Sequence, residues 1–89
     1  DPFGRALLGV MLREGLGGAP DKSRSFALLQ LANTYSKLNA FAQYQLGVSY
    51  EKGAGTPASR ELAIAQYKLA AANGLQMAVK RLDQLGIKN

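Results

Sequence analysis

Residues 8–17, LGVMLREGLG, return 38 positions later as LGVSYEKGAG at 46–55, and this repetition constrains the 89-residue chain more than any other feature. Leu8, Gly9, Val10, Gly15 and Gly17 recur as Leu46, Gly47, Val48, Gly53 and Gly55. A second set matches at a spacing of 36. Ser23, Arg24, Ala27 and Gln30 fall on Ser59, Arg60, Ala63 and Gln66, while Ala42 falls on Ala78 and Leu46 on Leu82. The two spacings together predict a longer loop, 17–22, in the first unit. A period of about 36 residues lies in the range of helical solenoids.

Each unit holds two helical patterns, an A helix followed by a B helix. Ala42, Leu46 and Tyr50 recur every four residues, with Asn39 as the expected N-cap and Gly53 as the stop. Ser59 then precedes Leu62, Ala63, Tyr67, Ala70 and Ala71, a second stripe closed by Asn73-Gly74. The first unit reads alike. Pro2 stands at a first helical position, the A helix runs to about Glu14, and Ser23 is expected to cap a B helix reaching about Lys37. A fifth helix spans about Leu75 to Leu85 and stops at Gly86. The expected architecture is all-α, an α/α superhelical solenoid of five antiparallel helices without strands. It divides into unit one (1–38), unit two (39–74) and a partial unit or capping helix (75–89).

Glycine inside a helix costs about 1 kcal/mol relative to alanine, so the recurrence of Gly9 as Gly47 calls for a packing reason. The expected reason is close approach of the A and B helices, with Ala27 in one unit and Ala63 with Ala70 in the other supplying small partners. Gly53 and Gly55 are expected to permit positive φ where the chain reverses.

Composition narrows the function classes. There is no cysteine and no histidine, so disulfides, thiolate sites, the usual zinc sets and the usual general base are missing. No cofactor or metal is expected. Six carboxylates and four tyrosines show no paired-carboxylate or nucleophile–base spacing, so no enzyme is expected. GAGTPAS, at 53–59, lacks the lysine of a phosphate-binding loop and reads as a turn. The longest apolar run falls well short of the roughly 18 residues of a membrane span. Asp1-Pro2 lacks the basic start of a signal peptide, and the chain reads as the C-terminal piece of a longer protein. The net charge of +5 is spread over all three units rather than gathered in a block.

The segments AQYQLGVSYEKGAG and SRELAIAQYKLAAANGLQMA together resemble the Sel1-like repeat, a relative of the tetratricopeptide repeat. The residues carrying the resemblance are Ala42, Leu46, Gly47, Tyr50, Gly53, Gly55, Ala63, Tyr67, Ala70, Ala71 and Gly74. Unit one departs from the pattern, with Leu12 in place of the tyrosine and Thr34-Tyr35 in place of the Ala-Ala pair. The resemblance implies a right-handed solenoid whose A helices line a concave face. It further implies a scaffold for proteins or peptides, of the kind found in bacterial regulation, the cell envelope or host contact.

With Leu46, Gly47 and Tyr50 facing the B helix, the groove positions on the second A helix are Phe41, Tyr44, Val48, Glu51 and Lys52. The same offsets give Phe3, Ala6, Val10, Arg13 and Glu14 on the first, and Met77, Lys80 and Gln84 on the last. Apolar contacts flanked by charged tips suit an extended peptide or a partner helix. Tyr35, Tyr50 and Tyr67 are assigned to the core. The alternative is an acidic ligand such as nucleic acid, for which Lys80, Arg81 and Lys88 near Tyr44 are the candidates. Open repeat ends are expected to expose Leu82, Leu85 or Phe3 and to favour self-association.

Overall fold

The computed structural model describes residues 1–35 and 39–88. It contains five helices: α1 (Pro2–Glu14), α2 (Lys22–Tyr35), α3 (Ala40–Lys52), α4 (Arg60–Ala72) and α5 (Gln76–Gln84). No strand occurs among the described residues. The A helices are α1, α3 and α5, and the B helices are α2 and α4. Within a unit the two run antiparallel: the Asp21 amide bonds the Leu12 carbonyl near the turn, and the Ser25 hydroxyl bonds the Gly9 carbonyl further along. Between units, α3 packs on both α1 and α2, and α5 packs on α4. The result is a helical repeat solenoid.

Local chemistry sets most of the boundaries. The Asn39 side chain accepts the Ala42 amide at 3.0 Å, and Ser59 accepts the Leu62 amide at 3.2 Å. Gly15 and Gly53 end α1 and α3 in the left-handed region, at φ 74° and 67°, where a side chain would be strained. One cap differs from expectation. Asp21, not Ser23, takes the Arg24 amide at 3.0 Å, so α2 starts at Lys22. The expected end at Lys37 and the core placement of the Tyr35 side chain lie outside what is described.

That cap overturns the 36-residue match of the B helices. Asp21 stands where Ser59 stands, 38 residues on, and the Asp21–Leu12 backbone bond recurs as Ser59–Tyr50. Unit one therefore superposes on unit two at a spacing of 38 through the loop and into the B helix, and its loop is no longer than its counterpart. Ala27, matched by sequence to the buried Ala63, is exposed; the buried residue at that position is Ser25. The two extra residues fall later. Buried Ala32 and Ala42 are ten apart, whereas their buried counterparts Ala70 and Ala78 are eight apart.

The core sits between units. Leu29 and Ala32 of α2 close over Ala42 and Leu46 of α3, joined by Ala6 and flanked by Phe26 and Phe41. Ala63 and Tyr67 of α4 close over Leu82 of α5. Tyr50 is half-buried and meets Phe26 edge-on, with ring centroids 5.4 Å apart, which ties α3 to the B helix before it. Of the residues expected at open ends, Phe3 is 56% exposed, but Leu82 is fully buried.

The helical glycine turns out to make room for a large side chain rather than for small ones. A Cβ on Gly47 would lie 2.6 Å from Cδ1 of Tyr67, and one on Gly9 would lie 2.9 Å from Cγ of Leu29. Leu29 and Tyr67 are equivalent residues, each filling the notch that its glycine leaves. Gly4, also helical, meets nothing nearer than 3.5 Å, an ordinary contact. Opposite signs are therefore expected for one substitution. Gly4→Ala should stabilise by a few tenths to about 1 kcal/mol through helix propensity. Gly47→Ala should destabilise by about 1–3 kcal/mol through overpacking, more than cancelling the same propensity gain. Denaturant unfolding of the two variants checks this; a stabilised Gly47→Ala would remove the packing role of Tyr67.

Candidate functional site

A hollow of about 410 Å³ lies between α3 and α5. Tyr44, Val48, Glu51 and Lys52 of α3 form one wall, Arg81 and Gln84 of α5 the other, and Tyr67 of α4 lies beneath. These residues converge because the 44–48–51–52 offsets lie on one helix face and α5 stacks beside it. Tyr44 rests against Tyr67, with ring centroids 5.3 Å apart and planes tilted by 46°.

A closed polar network spans the hollow. Arg81 donates from Nε to Glu51 Oε1 at 2.8 Å and from Nη2 to Oε2 at 2.5 Å, a bidentate pair. Its Nη1 reaches Gln84 Oε1 at 3.1 Å. Glu51 Oε1 also accepts the buried Tyr67 hydroxyl at 2.6 Å. The Arg81 guanidinium, and after burial's opposing effect the Tyr67 hydroxyl, hold the Glu51 carboxyl below its usual value of 4.5. Burial, reinforced by the adjacent carboxylate, pushes the Tyr67 hydroxyl well above the ordinary tyrosine range.

The same positions carry a different network one unit earlier. Arg13, only 6% exposed, donates to the Gln45 carbonyl and Ser49 Oγ, both at 3.0 Å, and to Gln45 Oε1. Arg13 and Glu51 are equivalent at a spacing of 38, and Gln45 and Arg81 at a spacing of 36. The contact that joins consecutive A helices is thus kept in place while its charges change. Glu14 sits beside it, bonded by Arg13 Nε at 2.7 Å and Lys52 Nζ at 3.3 Å. The Arg13 bond chiefly holds its carboxyl low.

Of the sequence-predicted groove residues, Tyr44, Val48, Glu51, Lys52 and Gln84 come together. The others do not line this hollow. Phe41 packs on the first core cluster and on Phe3, with ring centroids 5.3 Å apart. Ala6 is fully buried in that cluster, and Val10 is half-buried. Arg13 is buried in the α1–α3 contact rather than presented, and Met77 is 53% exposed outside the hollow. Lys80 lines a separate hollow of about 390 Å³ with Asp83, Ile87 and Lys88. The grouping of Lys80, Arg81 and Lys88 near Tyr44 therefore separates, since only Arg81 turns to Glu51. Gln45 is 8% exposed, which its place on a polar-looking helix face did not reveal. Arg81 and Tyr67 are the site residues the groove offsets missed. The signal for Arg81 was the paired change across repeat positions, a charge reversal from Arg13 to Glu51 and a gained charge from Gln45 to Arg81. Among the described residues no three acidic, histidine or cysteine side chains gather as a metal site would require, and no helix is long and apolar enough to cross a membrane.

The ion pair carries a pH dependence of definite sign. A carboxylate whose folded pKa is depressed contributes stability above its unfolded pKa, and loses it as pH falls through the folded value. The melting temperature should therefore drop as pH is lowered from about 6 to about 3. Glu51→Gln, which keeps an acceptor for Tyr67 but no charge for Arg81, should start lower and fall less steeply. Parallel thermal melts across that range check it; identical slopes would mean that Glu51 makes no contribution.

The Sel1 repeat family profile matches residues 2–33, 40–75 and 63–88, the last two overlapping across α4. No curated protein matches the sequence. The crystal structure of a Sel1 repeat protein from Oxalobacter formigenes is 39% identical, with a TM-score of 0.82 over 94% of this chain. The matched region spans 62% of that protein. Profile, spacing and superposition agree with the glycine notches and the stacked A helices: the chain belongs to the Sel1 repeat family.

Proposed function

We propose that this chain is a non-catalytic scaffold that binds another protein or an extended peptide on the faces of α3 and α5. Membership in the Sel1 repeat family, whose members generally serve as protein-interaction scaffolds, supports the class of function. The observation that carries the location is the hollow of about 410 Å³, with an aromatic ring, an aliphatic side chain and charged tips on adjoining walls. Tyr44 and Val48 offer apolar contact, and Lys52, whose side chain is 56% exposed, offers a charge at the rim. Binding hot spots favour such partly buried aromatics ringed by polar groups. Glu51 and Arg81 already satisfy each other, so they hold the walls in register while a partner's backbone uses the remaining polar groups.

A polyanion has less to hold. Arg13 is buried on Gln45 and Ser49, Arg81 is paired with Glu51, and Lys80 and Lys88 share their hollow with Asp83.

The chain immobilised as bait, with bound proteins identified by mass spectrometry, tests the assignment. Partners retained by the natural sequence should be lost from Tyr44→Ala and Lys52→Glu and kept by Lys68→Glu on the B-helix side, with helical circular dichroism unchanged in all three. Binding lost only from Lys68→Glu would move the site to the other face. A steep fall of affinity with salt would transfer support to a polyanion.

A further inference from the structure

The hollow between α3 and α5 holds more hydrogen-bond donors than its own acceptors can use. A guanidinium has five N–H groups. Those of Arg81 give one bond each from Nε and Nη2 to Glu51 and one from Nη1 to Gln84, which leaves two spare. Lys52 spends one of its three on Glu14 at 3.3 Å. Exposed Gln84 accepts from Arg81 on Oε1, so both N–H groups of its amide remain. The Tyr44 hydroxyl makes no hydrogen bond among the described residues.

The acceptors are nearly used up. Glu51 Oε1 takes both the Tyr67 hydroxyl and Arg81 Nε, and Oε2 takes Arg81 Nη2. Two cations and one carboxylate line the hollow, and Glu14, which meets Lys52 at its edge, is already bonded by Arg13 at 2.7 Å. The α1–α3 contact shows the opposite case. Arg13 is 6% exposed and spent on Gln45 and Ser49, whereas the Arg81 side chain is 34% exposed.

Apolar and donor groups are also sorted along the hollow. Tyr44, Val48 and Lys52 follow at four-residue intervals, about 6 Å apart along α3. Arg81 is held at the Lys52 end by Glu51, and Gln84 lies one turn beyond it. Resting on the placement of a partner in this hollow, we infer that the segment it takes is acidic. A carboxylate sits among Lys52, Arg81 and Gln84, two to four residues from an apolar side chain that lies on Tyr44 and Val48. An extended chain advances about 3.3 Å per residue, which sets that spacing. A carboxylate accepts through two oxygens and brings no donor, so it meets the spare N–H groups with charge-assisted bonds. A basic segment would set donors against donors. The donors gather at one end beside an apolar stretch, which fits a single acid group next to an apolar residue.

Random short peptides displayed on phage and panned on the immobilised chain test this, once with the peptide carboxyl end fused and once with it free. Asp or Glu should be enriched two to four positions from a large apolar residue. Synthetic copies should bind about tenfold more weakly when that acid becomes its amide. Lys52→Gln should weaken them by a similar factor, while Lys68→Gln, the same charge change on the B-helix side, should not. A carboxylate supplied by the chain end instead would show as enrichment in the free-end display alone, abolished by C-terminal amidation. Enriched peptides that lose binding with Tyr44→Ala yet show no need of a carboxylate overturn the inference and leave the site standing. Equal weakening by Lys52→Gln and Lys68→Gln reduces the preference to net charge and overturns it too. If neither display enriches any peptide, the binding site in the hollow falls with it.

Discussion

The seat of Tyr67 against Gly47 is the contact on which the second half of the molecule depends. The ring fills the notch left by the missing side chain, touches Tyr44 across the hollow and packs beside Leu82 of the following helix. Its hydroxyl cannot be buried unpaired without cost, and it bonds Glu51. Glu51 in turn grips Arg81. One side chain thereby sets the distance between α3 and α4, places α5, and orients the polar wall of the hollow. In unit one Leu29 fills the Gly9 notch with no polar end, and Arg13 supplies the polar contact to the next A helix instead.

Two networks at equivalent positions show how a repeat protein keeps its units in order. Stacking apolar helices is tolerant of sequence, because hydrophobic burial is non-directional. The α1–α3 contact is an arginine on an amide and a hydroxyl, and the α3–α5 contact is a carboxylate on an arginine. Exchanging the units would bury a charge opposite the wrong partner, which is penalised more heavily than a lost hydrogen bond. The ion pair also lines the hollow between α3 and α5, so the groups that order the units shape the hollow too.

Almost all of the helical architecture was legible in the sequence. Asn39, Ser59, Gly15 and Gly53 end or begin helices by short-range chemistry, and each acts where the sequence places it. The expected Ser23 cap failed for an equally local reason. Asp21 is as good a cap and lies two residues earlier, and identity of Ser-Arg at a 36-residue spacing concealed the true 38-residue register. Groove residues were half legible: the offsets from Leu46 and Gly47 collected Tyr44, Val48, Glu51 and Lys52, while Gln45, polar and apparently outward, proved to be buried under Arg13.

By itself, then, the sequence determined what depends on neighbours along the chain: helix number, caps, the repeat period and the place of the notched glycines. Only the tertiary structure decided what fills the notches, which polar residues pair between A helices, and which of the apolar groove candidates pack inward. Those outcomes depend on the rotation and spacing of helices more than 30 residues apart in sequence, as Arg13 and Gln45 are. A helical period tells which residues share a face, but the face's fate depends on the helix set against it. Leu8, Leu46 and Leu82 are one residue at one position, and Leu46 and Leu82 are buried because α2 and α4 are set against them, while Leu8 is 41% exposed.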